Sequence, residues 1–366
     1  MITAAVSFPP RIIRCHYRPL ILTVVALAFV ATFWFASRYP QLLHKAQHVG
    51  EALPTMAYGS EVFPVTAATP VWQRILFGAG NWLAGMKIGM TFGVLFGALL
   101  HTVLRHYPLK IGRNLSLNSL KGALIGVPTG VCANCAVPMA CGVTRGHGRV
   151  EVALGFLFSS PNFNPVVVMM TFAALPLAMA VTKYAILFAV IVLVVPGIIW
   201  LLERHQPMAM KTNDADGAVC NLSLPDTECR EPFLTVLNEL AREFGRNVWM
   251  LLKPTLTLML IASVVASAML VLVPWTDLLA HITPLRLLLV ATLAVFMPVP
   301  IALDVMFAAL LLRQGVPTGY VMLFAMTLGV YSIIPSIYLW RDVSRPLAVI
   351  LFVFFVAVGW ITGMIF

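Results

Sequence analysis

Apolar residues run in long blocks along this chain, with polar residues collected in short stretches between them. Seven blocks are long enough to cross a bilayer, at about 19–37, 82–104, 150–173, 177–201, 250–273, 318–340 and 346–366; a helical span needs roughly 20 residues. Two more blocks, 119–144 and 285–312, are equally apolar but are interrupted by glycine and proline. Broken backbone at membrane depth is tolerated where it lies inside protein or lines a cavity. The pattern therefore predicts an all-α polytopic membrane protein with about seven full spans and two broken or re-entrant helical segments, nine apolar segments in all.

Composition narrows this further. The 366 residues are 60% hydrophobic and 10% charged, with a mean hydropathy of +0.92. That balance excludes a soluble domain. The net charge of +10 sits mainly in short loops. It reads as membrane topology and not as a nucleic-acid footprint. Lipid and a small-molecule substrate are the expected partners, with no nucleic acid. The block after Arg11, Arg14 and Arg18 is expected to be a retained anchor, being long for a signal-peptide core.

The order of features repeats. Asn81 stands six residues before Lys87 at the mouth of one block, and Asn247 six before Lys253 at another. An amphipathic stretch precedes each, and a broken segment with proline follows each. Next comes a glycine-bearing turn (Gly146-His147-Gly148; Gly315-Val316-Pro317), then a block with polar residues at its centre. Such duplication is a transporter signature. It divides the chain into an N-terminal segment and anchor (1–40), an extracytoplasmic loop (41–70), repeat 1 (71–201), a polar linker (202–232) expected to be a cytoplasmic tether, and repeat 2 (233–366). With both broken segments crossing fully, the 21 basic residues other than Lys87, Lys183 and Lys253 divide 10 to 11 between the two sides. With both as re-entrant hairpins the repeats become inverted, and sixteen basic residues fall on the side of the N-terminus against five opposite. The positive-inside rule favours the second arrangement, with the N-terminus and linker cytoplasmic.

The chemistry gathers in the first broken segment. Residues 126–144 read GVPTGVCANCAVPMACGVT. Cys132 and Cys135, three apart, share a helix face and can jointly grip one soft centre. Cys141 joins them only if the chain bends at Pro138. Buried cysteine also serves as a small packing residue, but three within ten positions at a helix break call for more. Asn134 lies between the pair. Ser160, Asn162 and Asn164 interrupt the 150–173 block, where polar side chains must face protein or water; helix–helix hydrogen bonding is the plainer use. Asp304 occupies the position in the second broken segment that matches Cys135, and an intramembrane carboxylate is a natural proton-coupling group. Lys87 and Lys253 are candidates to attract an anion or pair with that acid, or simply to snorkel. Cys220 and Cys229 lie in the linker. No structural metal site and no cofactor is expected, and no nucleotide-binding loop is present.

In these features the chain resembles the ArsP-like family of predicted permeases. The matching stretches are Gly126–Pro138, Gly142–Gly148 and Ala153–Pro165, then Phe296–Asp304, Gly315–Gly319 and Phe324–Pro335. The resemblance implies a multi-pass permease of the cell inner membrane and not an enzyme. Relatives of this kind export trivalent organoarsenicals with the help of membrane cysteines. By position, that role falls on Cys132 and Cys135, with Asn162 and Asn164 in the polar patch. The family's usual Cys-x-Cys-Gly-x-x-Pro is here Cys132-Ala-Asn-Cys135-Ala-Val-Pro138. The leading expectation is a proton-coupled secondary permease exporting a small thiophilic substrate. The alternatives are a permease for a small anion, sulfur-containing anions included, and a membrane thiol–disulfide oxidoreductase using Cys132 and Cys135.

Overall fold

A computed structural model describes residues 17–47, 62–66, 68–107, 112–145, 149–205 and 233–366. Cys15, the turn at 146–148 and the linker cysteines Cys220 and Cys229 lie outside the described residues. Among those described the secondary structure is helical throughout, with no strand.

Among the described residues, five helices are long and apolar enough to cross a membrane: Tyr17–His44, Val71–His106, Leu177–Arg204, Phe233–Leu272 and Arg345–Ile365. A bent pair makes a sixth if counted as one span. Of the seven blocks expected as full spans, two are not single helices, because they are cut where their polar residues sit. The 150–173 block forms α6 (Val150–Asn162) and α7 (Pro165–Ala174), bent by 51°. Pro165 lacks an N–H, and the Asn164 side chain accepts from Val166 N at 3.0 Å, so a new helix begins there. The 318–340 block divides into α14 (Thr318–Thr327) and α15 (Ile333–Tyr338). Between them Gly329 takes a φ of 75°, which side-chain-bearing residues rarely adopt.

The remaining elements in chain order are α1 (Tyr17–Phe33), α2 (Tyr39–Gln47), α3 (Val71–His106), α4 (Leu115–Gly126), α5 (Ala133–Arg145), α8 (Leu177–Ala189), α9 (Val195–His205), α10 (Phe233–Leu272), α11 (Trp275–Leu279), α12 (Pro284–Phe296), α13 (Leu303–Arg313) and α16 (Arg345–Ile365). One wide π turn, Trp34–Arg38, joins α1 to α2, and another, Val190–Val194, joins α8 to α9. The long helices α3 and α10 pack together and run in opposite directions. Gly78 lies against Ser267, Asn247 donates to Thr102 at 2.9 Å, and Glu243 meets His106 at 2.8 Å.

The first broken segment is α4 and α5 with a short 3₁₀ turn between them, Val127–Thr129. Gly89, Gly93 and Gly97 make a groove on α3 into which the α5 backbone settles: Gly89 and Gly93 face Cys135, and Gly97 faces Pro138. Small residues at every fourth position allow such close approach. The contacts advance together along both helices, so α5 runs in the direction of α3. Similarly α4 runs with α6, with Asn118 bonded to Glu151 at 3.0 Å and Ser159 to the Ala123 carbonyl at 2.9 Å. A Cβ placed on Gly97 would lie 2.4 Å from the Pro138 carbonyl oxygen. Gly97→Val is therefore expected to force α5 off α3 at a cost of about 1–3 kcal/mol. A lowered melting temperature in detergent would register it; an unchanged one would contradict the groove's role.

Candidate functional site

The two broken segments meet in the buried interior, and polar side chains make the junction. Asn134, at the start of α5, donates to the Val299 carbonyl at 3.2 Å and accepts from the Ser332 hydroxyl at 2.6 Å. Trp82 on α3 donates to the Pro298 carbonyl at 2.9 Å. Thr144 meets the Tyr338 hydroxyl at 3.1 Å. Each contact joins the first half of the chain to the second, and Asn134 touches both breaks of the second half.

Beside Asn134 lies the cysteine pair. Cys132 and Cys135 are 3% and 1% exposed, and their sulfurs are bridged as a disulfide with a Cα–Cα distance of 5.2 Å. Cys132 Sγ also accepts from Cys135 N at 3.2 Å, because the helix starts at this pair. A third sulfur closes the group: Met86 Sδ on α3 is 3.9 Å from Cys132 Sγ. Cys141 is not part of it. α5 continues as a helix through Pro138, so Cys141 sits about 9 Å further along its axis, buried and unbridged. Cys141 was to join the pair only if the chain bent at Pro138; the helix continues there without a break, and the third sulfur beside the pair is that of Met86. Among the described residues there is no group of three or more His, Cys, Asp and Glu able to hold a metal ion.

The hydrophilic patch in the first half has structural partners. Ser160 Oγ is 2.7 Å from Thr129 Oγ1 and 3.2 Å from Val131 N, which fastens the break to α6. Asn162 donates to the Phe158 carbonyl one turn back on its own helix at 3.0 Å. Asn164 caps α7 through its carbonyl oxygen, yet its amide Nδ2 is buried with no partner.

The acid of the second half is engaged as well, by a residue other than those expected. Lys183 Nζ on α8 bonds Asp304 Oδ2 at 2.5 Å, with side chains 0% and 4% exposed. Lys87 and Lys253 are both exposed. Of the readings open for these two lysines, pairing with Asp304 is excluded here, since its partner is Lys183. Asp304 lies in the first turn of α13, where the helix dipole favours a negative charge. The chain enters that turn through Ala302, whose φ of 64° is unusual for a residue with a side chain. Gly329, at the second break of this half, faces the same carboxylate.

The signals for Lys183 and Met86 were present in the sequence. Lys183 is the one charged residue within 177–201, and its helix is the most apolar of the five candidate spans. An ammonium group there requires a partner. Met86 precedes the Gly89-x-x-x-Gly93-x-x-x-Gly97 series that carries α5.

Comparison with known proteins places this assembly. The sequence model of the ArsP_1 family, described as predicted permease, matches residues 86–366. The chain belongs to that family. Both broken segments, the cysteine pair and the Lys183–Asp304 pair fall inside the match. As a member of the family, the protein is a multi-pass membrane permease. No curated protein and no solved structure matches it.

Proposed function

We propose that this permease exports a small thiophilic substrate, of which a trivalent organoarsenical is the best-fitting class, across the cell inner membrane. The observation that carries the reading is the placement of Cys132 and Cys135: a buried pair at a helix break, in contact with both breaks of the second half through Asn134. When the pair is reduced, R–As(OH)₂ forms two As–S bonds with it. The two thiol protons leave with the two hydroxyls as two waters, and arsenic stays trivalent. Thiols are the preferred donors for such a soft centre, and the Met86 thioether adds a third.

The repeats are inverted in this reading. The opposed directions of α3 and α10, which are corresponding helices of the two repeats, support it. Re-entrant hairpins are supported by α5 running with α3 while α4 runs with α6. Transport then proceeds by rocking of the halves about the meeting point of the breaks. An apolar cavity of about 570 Å³ in the second half, lined by Trp275, Met297, Val299, Leu303 and Phe324 among others, borders that point and suits an organic substituent. Protons are the coupling ion. Asp304 takes a proton and releases Lys183, which loosens α8 from α13.

The bridged state favours a second reading, in which the pair cycles between dithiol and disulfide as an oxidoreductase. Cys141 is the only other described cysteine and lies too far along α5 to exchange with the pair. A resistance panel tests the cargo. Cells expressing the protein are expected to survive severalfold higher doses of trivalent methyl- and phenyl-arsenicals than control cells. Unchanged sensitivity to these, with thioredoxin-dependent cycling of the Cys132–Cys135 bridge, would favour the oxidoreductase.

A further inference from the structure

The first helix does more than anchor the chain. Its wide π turn directs two side chains at the first break: Trp34 donates its indole N–H to the Pro128 carbonyl, and Arg38 is buried behind it, 5% exposed. Such turns within α-helices are rare and recur at functional sites. A buried guanidinium ordinarily has an acidic partner. Among the described residues Arg38 has none. Its contacts are a weak bond to Gln41 Oε1 at 3.4 Å and the face of Phe33, 4.8 Å from the ring centre, and its Nε is buried with no partner.

What surrounds the guanidinium decides the reading. A Cβ on Gly89 would lie 3.0 Å from Cys135 Sγ and 3.3 Å from Arg38 Nη2, so the cysteine sulfur and the guanidinium flank one glycine. A Cβ on Gly130 would lie 2.5 Å from Asn164 Nδ2 and 3.5 Å from Arg38 Cγ. Gly130 itself is left-handed, with a φ of 55°, at the tip of the break. Arg38 and Asn164, whose Nε and Nδ2 are buried donors without partners, thus both border Gly130, two residues before Cys132. Leaving such donors unmet is costly, and one acceptor-rich anion satisfies both.

We infer that Arg38 and Asn164 form an anion subsite adjoining the thiol pair, so that the preferred cargo carries both a thiol-reactive centre and an acidic group such as a carboxylate. The inference rests on the proposed cargo class and narrows it. Arg38 lies before residue 86, so the charge comes from a part of the chain that the family match does not cover. A guanidinium suits the task because its planar fork pairs with a carboxylate through two hydrogen bonds.

The test compares two trivalent arylarsenicals in everted vesicles, phenylarsenous acid and its 4-carboxy derivative. Arg38→Met is expected to lower transport of the carboxylated cargo at least tenfold and to change the neutral one less than threefold, with Arg38→Lys intermediate. Equal losses for both cargoes would overturn the inference and mark Arg38 as a support for the break or a partner of a cysteine thiolate. No loss for either would overturn it too. Should Arg38→Met fail to fold, the wild-type protein decides: its KM should be several-fold lower for the carboxylate than for the corresponding methyl ester, and equal values refute the subsite. If the wild-type protein moves neither arsenical, the cargo reading itself fails; if it moves both without discrimination, only the anion subsite does.

Discussion

Cys135→Ser is expected to lower transport of a trivalent arsenical into everted vesicles by an order of magnitude or more. The substitution nearly preserves volume, since oxygen replaces sulfur on the same Cβ. It also leaves the Cα positions of the break where they are. What it removes is one of two As–S bonds, and a hydroxyl is a poor donor for a soft centre. The residue is 1% exposed, and the α3 residues that face it are glycines; the one further sulfur named at the site, the Met86 thioether beside Cys132, has no thiol proton to exchange for a second As–S bond. Cys132→Ser should behave similarly and the double variant no worse than either, because the two sulfurs act as one ligand. Cys141→Ser should transport normally. Wild-type rates for Cys135→Ser would remove the thiol site from the account.

The second large effect is expected at Lys183 and Asp304. Removing one member of a buried ion pair leaves the other charge uncompensated, which costs about 3–5 kcal/mol. Lys183→Met and Asp304→Asn should therefore each reduce the yield of folded protein in detergent, read by size-exclusion chromatography. Replacing both with apolar residues, as Lys183→Met with Asp304→Leu, removes the uncompensated charge and should restore much of that yield. Transport driven by a proton gradient should not return, because no group remains to carry the proton. A double variant that still concentrates cargo against its gradient when only the proton gradient is imposed would exclude this pair as the coupling element.

Much of the architecture was legible in the pattern of apolar blocks, since each block is helical and each break falls at a proline or glycine. The two blocks that are bent instead of continuous carried the evidence in Asn164-Pro165 and in Gly329. A long apolar run nevertheless conceals such a break, because hydropathy averages over it. Cys132 and Cys135 were legible because cysteine is scarce and their spacing places both on one helix turn. The place of Cys141 could not be read from the sequence, because whether an interior proline ends a helix depends on packing: α5 continues through Pro138 while lying against the α3 groove. The partner of Asp304 was missed because symmetry pointed to Lys87 and Lys253, while Lys183 has no counterpart in the second half. Arg38 stands at the end of a span, where arginine usually reaches water. Only the π turn shows that it faces inward.

The measurement that bears most directly on the central claim is arsenic content. Purified, reduced protein in detergent is incubated with phenylarsenous acid, freed of excess reagent by gel filtration and analysed for arsenic by mass spectrometry. With Cys15, Cys141 and the two linker cysteines replaced by serine, so that only Cys132 and Cys135 remain, the protein should retain one arsenic per chain, and the further change Cys135→Ser should abolish retention. Arsenic held equally with and without Cys135, or not held at all by the protein that keeps the pair, would contradict the assignment of Cys132 and Cys135 as the cargo-binding site.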